Sequence, residues 1–229
     1  MLRMGRSALF ALMAALAAAA PAAASEATAV RLRGAVLTGD LQDLVAGVLA
    51  LRDHDGRVFA IVDKQRAQLH VFDAMGRLWG STAVLLGQAR GDGSAPDVGR
   101  NTQDGHVPLH QRTMPAGRFV AAPGMNLQGE TVVWVDYDAA FAIHRLRPGA
   151  SQAPRLARLA TPTPADNRAS WGCVVVPVRF YLDVVAKLLG RGASVVYVLP
   201  EQGGGAQLLA GWRRAATARL RPTAIAHPG

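Results

Sequence analysis

Phe59-Ala60-Ile61-Val62-Asp63-Lys64-Gln65-Arg66-Ala67-Gln68-Leu69-His70-Val71-Phe72 sets the texture of this chain. Two short runs rich in aliphatic and aromatic residues flank a polar break, the pattern of two strands separated by a turn. The runs read as strands over 58–62 and 68–72. Similar runs follow at 78–86, 118–121, 131–137, 139–146 and 193–199. Asp73-Ala74-Met75-Gly76-Arg77 reads as the hairpin loop leading into 78–86. Helical spacing appears twice. Leu41, Leu44, Val45, Val48, Leu49 and Leu51 repeat behind Asp40 as a cap, and the turn Asp53-His54-Asp55-Gly56 follows them. Residues 177–189 are amphipathic, with Pro177 suited to a first turn and Gly190 to an end. The expected fold is mainly β with a few helices. Its sequential antiparallel strands must curl or pair face to face to bury their apolar sides.

The N-terminus has the layout of a secretory signal. Arg3 and Arg6 precede an apolar run over 7–20, and Ala22-Ala23-Ala24 offers small residues for cleavage before Ser25. That run is short of the roughly 20 residues a spanning helix needs. The expected mature chain is soluble, exported to the periplasm or cell envelope, and without a stable membrane span. The expected organisation is a signal peptide at 1–24, an N-terminal helical segment at 25–56, a domain at 57–200 and a tail at 201–229. The tail leaves room for a short helix around 206–220, with disorder beyond it.

The net charge of +9 rests on arginine, since Lys64 and Lys187 are the only lysines. There is no block of like charge and no interleaving of basic and aromatic residues. Nucleic acid is therefore not the expected partner. For an exported chain, an anionic wall polymer or membrane surface fits better.

One cysteine, Cys173, cannot form an internal disulfide. An oxidising compartment threatens a lone thiol, so its retention suggests use. Its surroundings are Asp166-Asn167-Arg168-Ala169-Ser170-Trp171-Gly172-Cys173-Val174-Val175-Val176-Pro177. Cys173 lies just before the helix expected from Pro177. Amides at a helix start favour a thiolate and would lower its pKa. The Gly172 and Cys173 amides are candidate donors to an oxyanion. A nucleophilic thiol needs a base, and His144, closing the apolar run over 139–143, is the candidate. His106 and His110 stand four apart, but Pro108 between them argues against a helical metal site. The unpatterned stretch 87–116 is long for a loop, and loops of that length often sit over functional sites.

A His followed downstream by Ser-x-Gly-Cys resembles the catalytic domain of the L,D-transpeptidases, also called YkuD-type domains. The likeness extends upstream. Residues 59–72 are similar to that family's opening hairpin, and Pro115-Ala116-Gly117-Arg118-Phe119 to its "TPxGxF" strand entry. The resemblance spans about residues 57–200 and implies a curled β-sheet or β-sandwich. It makes Cys173 the nucleophile and His144 the general base. Gly172 supplies an oxyanion donor, Ser170 shapes the site, and Trp171 and Arg168 become candidates for substrate binding. The implied activity is cross-linking of peptidoglycan. A tetrapeptide stem is cut, its terminal D-Ala leaves, and the acyl group passes to an amine of another stem. No metal or organic cofactor is implied, and carbapenem-type β-lactams are the expected inhibitors.

This sequence departs from the family pattern in four places. Trp171 stands where the family usually has His, and Val175 replaces an Asn or Arg. Met114 replaces the Thr before Pro115, and 25 residues separate His144 from Ser170, more than is usual. An insertion around 147–163, rich in Pro, Ala and Arg, accounts for that length. Two other readings use the same residues. One is an L,D-carboxypeptidase or related hydrolase with water as acceptor. The other is a non-catalytic wall-binding protein on the same fold, motivated by Trp171 and Val175.

Overall fold

The computed structural model describes residues 39–211, apart from residues 204, 206 and 209. The expected signal peptide at 1–24, the beginning of the N-terminal segment and most of the expected tail lie outside the described residues. No helix among the described residues is long and apolar enough to cross a membrane.

The chain is mainly β, and one strand explains how it closes. β5 (Gly117–Met125) is longer than its neighbours and changes partner halfway along. Residues 117–121 pair antiparallel with β10 (Ser194–Val198), whereas residues 122–125 pair antiparallel with β6 (Thr131–Asp136). One half-sheet contains β3 (Leu78–Ala83), β2 (Gln68–Phe72), β1 (Phe59–Asp63), β10 and the first part of β5. The other contains the rest of β5, β6, β7 (Phe141–Arg145) and β9 (Val174–Val176). A short separate pair joins β4 (Leu86–Gly87) to β8 (Arg168–Ser170).

Strand alternation assigns the faces, because successive side chains point to opposite sides. Ala60 and Val62 of β1, Val196 and Val198 of β10, Ile143 of β7, and Val174 and Val176 of β9 share one buried core. The two half-sheets therefore close over a common interior. Phe180, Tyr181, Val184 and Val185 enter that interior from α4, a helical run through Val178–Phe180, Tyr181–Val185 and Ala186–Leu188 whose middle section is a π turn. The opposite face of β1 and β10, carrying Phe59, Ile61, Val195 and Tyr197, is covered by α1 (Gly39–Ala50) through Leu41, Leu44, Val45 and Val48. That two-sided burial explains why 59–62 is a continuous apolar run rather than an alternating one.

Two features differ from the antiparallel meander expected. β1 pairs parallel with β10, and β7 pairs parallel with β9. Parallel neighbours need crossover connections, which local patterning does not announce. The stretch 87–116 is partly ordered into α2 (Val98–Gln103). The stretch read as an insertion carries α3 (Gln152–Ala160), with Pro154 in the first turn, where its missing N–H costs no helical bond.

A buried cation ties the long loop to the first half-sheet. Lys64 Nζ, fully enclosed, donates to Gly91 O at 2.9 Å and Met114 O at 2.8 Å and pairs with Asp92. Glu201 lies 3.8 Å from Nζ and also binds Arg168 at 2.9 Å. Burial pulls the ammonium pKa down, and the Asp92 and Glu201 carboxylates oppose that pull. Asp92 is 44% exposed and keeps water when the ammonium is lost, so the cost falls at the low end of the roughly 3–5 kcal/mol typical of breaking a buried pair. Lys64→Ala is therefore expected to lose about 3 kcal/mol, read as a lower urea midpoint with an unchanged slope.

Candidate active site

The register of β7 against β9 brings the two proposed reactive groups together. His144 is level with Val175 and Ile143 with Val174. Carried one residue back, Cys173 is level with Ala142. Cys173 and His144 thus occupy one face of adjacent parallel strands, two residues out of step. Strand spacing and rise put their Cα atoms about 8 Å apart. This face points away from the main core. Val175, on the same face and level with His144, packs with Leu85, Leu146 and Leu159, the last from α3. A reciprocal bridge between Leu85 and Val175, at 2.9 and 3.0 Å, covers the other edge of β9.

The imidazole is held in one tautomer. His144 Nδ1 lies 2.8 Å from Arg145 O. A carbonyl only accepts, so Nδ1 carries the proton and Nε2 keeps the free lone pair. Burial pushes the His144 pKa down to about 4, and the positive charges of Arg147 and Arg155 add to the effect. The Arg145 carbonyl and Glu130 oppose it. Near neutral pH the ring is uncharged and able to accept a proton.

Cys173 is partly exposed, and its thiol donates to Ala140 O at 3.4 Å. Ala140 holds a left-handed conformation, φ 50°, in the turn that opens β7. Burial pushes the Cys173 thiol pKa up. A hydrogen bond from the Ala142 backbone and the charges of Arg147 and Arg155 pull the other way. The helix expected from Pro177 is present, with Pro177 as its N-cap, but it does not adjoin the sulfur. β9 follows Cys173 directly, and α4 begins only at Val178. The expected lowering of the thiol pKa by helix amides is replaced by a net rise, and the nearby positive charge comes from arginines.

Ser170 is buried and organises the turn before the sulfur. Its hydroxyl donates to Cys173 O at 2.7 Å and accepts from Gly172 N at 3.2 Å. The Gly172 amide is thus engaged by Ser170. Gly172 has φ +133°, and a Cβ there would stand 2.8 Å from Thr113 O, so only glycine fits. Trp171 is 41% exposed, with the Arg112 guanidinium 5.2 Å from its ring centre. Arg168 is committed to Glu201 and to Lys64 O at 3.3 Å, within the ion network of the long loop.

The long loop frames the site from two directions. Thr113 abuts Gly172, and at the other end Gly99 of α2 packs so closely on Asp138 that a Cβ would stand 2.0 Å from its carbonyl oxygen. Sequence reading missed Arg147 and Arg155. The extra length between His144 and Ser170 was visible, but not the helix within it. The available signal was Arg155 and Leu159, four apart and hence on one helical face.

No family model matches this chain, and no curated protein matches it. Among solved structures, it matches the NMR structure of the catalytic domain from the E. faecium L,D-transpeptidase at 14% identity and a TM-score of 0.33. The match covers 63% of this chain and 98% of that one. So low an overlap carries no argument about activity.

Gly172→Ala is expected to strain the backbone by roughly 1–3 kcal/mol and displace Thr113. A lower thermal midpoint together with altered Cys173 alkylation would register both effects. His144 and His70 both titrate near 4 in the fold because burial disfavours their charged forms. Unfolded histidines titrate near 6.5. Between those values the unfolded chain binds more protons, so stability is full above about 6.5 and falls as pH drops toward 4. His144→Gln removes one of the two contributions, and its urea midpoint should fall less steeply across that window. A decline as steep as in wild type would show that His144 protonates normally in the fold.

Proposed function

We propose that this chain is an exported cysteine acyltransferase of the L,D-transpeptidase kind, acting in the periplasm or cell envelope on peptidoglycan stem peptides. The observation that supports the reading is the placement of Cys173 and His144 on one face of the adjacent strands β7 and β9, with Nδ1–H held by Arg145 O and Nε2 free to accept a proton. The ordered sequence motifs over 57–200 add to it, as does the glycine-dependent turn before the sulfur.

The resting site favours a neutral thiol and a neutral imidazole. Proton transfer therefore accompanies attack rather than preceding it. The Cys173 side chain turns from the Ala140 carbonyl toward Nε2 and hands over its proton. Its sulfur bonds to the stem's carbonyl carbon as the C–N bond to the terminal D-Ala breaks. The imidazolium returns the proton to the departing amine. An acceptor amine then attacks the thioester carbon, loses a proton to Nε2, and expels the sulfur, which recovers that proton. Trp171, exposed beside the nucleophile, offers an aromatic wall for the stem.

Mass spectrometry of the protein incubated with a tetrapeptide stem, and separately with a carbapenem, tests this reading. The expected result is one covalent adduct on Cys173 with each, absent in Cys173→Ala and slowed at least a hundredfold in His144→Ala, within the usual range for a general base. Muropeptide products then separate cross-linking from hydrolysis. An adduct surviving in Cys173→Ala, or none in the wild type, overturns the proposal.

A further inference from the structure

We propose that Arg155 of α3, with Arg147, forms a carboxylate-binding subsite beside Cys173 that receives the terminal carboxylate of the acyl donor. The inference rests on the acyltransferase reading above and names what positions the donor. α3 docks on the outer face of the second half-sheet through Leu159, which packs with Val175, Leu85 and Leu146. Arg155 lies one turn before Leu159 and so shares its face. Val175 is the cross-strand neighbour of His144 and lies two residues beyond Cys173 on the same face, so a helix docked on Val175 brings Arg155 to the side of the sheet that carries both groups. The charges of Arg147 and Arg155 are felt at both groups.

Charge counting supplies the ligand's sign. Glu130 pairs with Arg145 at 3.0 Å and with Arg147 at 2.7 Å. One carboxylate thus serves two guanidiniums, and Arg155 has no ion pair among the described residues. Arg155 Nε is buried there without a hydrogen-bond partner. A buried donor left unmade is costly, and an arriving anion would satisfy it. Arginine presents a planar fork suited to a carboxylate. The departing D-amino acid of the proposed donor ends in a carboxylate one carbon from the scissile nitrogen. Seating that carboxylate on Arg155 would bring the scissile carbonyl to the sulfur.

Two donors test this: a stem tetrapeptide with a free terminal carboxylate, and the same peptide as its terminal carboxamide. Acyl-enzyme formation on Cys173 is followed by mass spectrometry, with rates taken as kcat/KM. Wild type is expected to favour the carboxylate donor at least tenfold. Arg155→Gln should lower the rate with the carboxylate donor at least tenfold more than with the carboxamide donor, because the lost charge also acts on Cys173 and His144, and Arg155→Lys should retain part of the preference. Equal wild-type rates with both donors would overturn the subsite while leaving the acyltransferase reading intact. So would an equal loss with both donors in a folded Arg155→Gln, which would mean that Arg155 acts on the sulfur alone. If wild type forms no acyl-enzyme with either donor, both proposals fall.

Discussion

The architecture turns on β5 serving two partners. Its first part completes the half-sheet built on β1 and β10, and its second part begins the half-sheet that ends at β9. Because the strand is continuous, the two half-sheets cannot separate, and their inner faces must share one core. Everything on the outer faces follows. α1 covers the first half-sheet, and α3 lies on the second, over the same face that carries Cys173 and His144.

Strand texture was readable because β-branched and aromatic runs state it locally. Gln68–Phe72 coincides with its expected bounds, and the Asp73 turn is closed as expected, with Asp73 accepting from the Met75 and Arg77 amides. Pairing was not readable. The parallel contacts of β1 with β10 and of β7 with β9 join residues far apart in sequence, and nothing local encodes them. The same limit governs the site. Cys173 and His144 could be nominated by chemistry, but their shared face depends on register. Val174–Val176 is only three residues long, and as a strand it separates Cys173 from the amides of the helix that follows Pro177, so those amides do not set the charge at the sulfur.

That setting has an internal logic. A site that largely desolvates a thiol and an imidazole resists charge on either, and here both pKa shifts favour the neutral form. Neutrality protects a lone thiol from oxidation, since the thiolate is the species that oxidants attack. Arginines on the rim supply positive charge without a permanent counter-ion at the sulfur.

α3 has a single buried residue, Leu159. A helix that buries one side chain can come loose for far less free energy than the sheet beneath it, so it should behave as a separate small cooperative unit. When it lifts, the rim loses Arg155 while the β7/β9 ladder stays paired. The outer face would then pass between a form with two guanidiniums acting on the sulfur and one with Arg147 alone, without any unfolding of the domain.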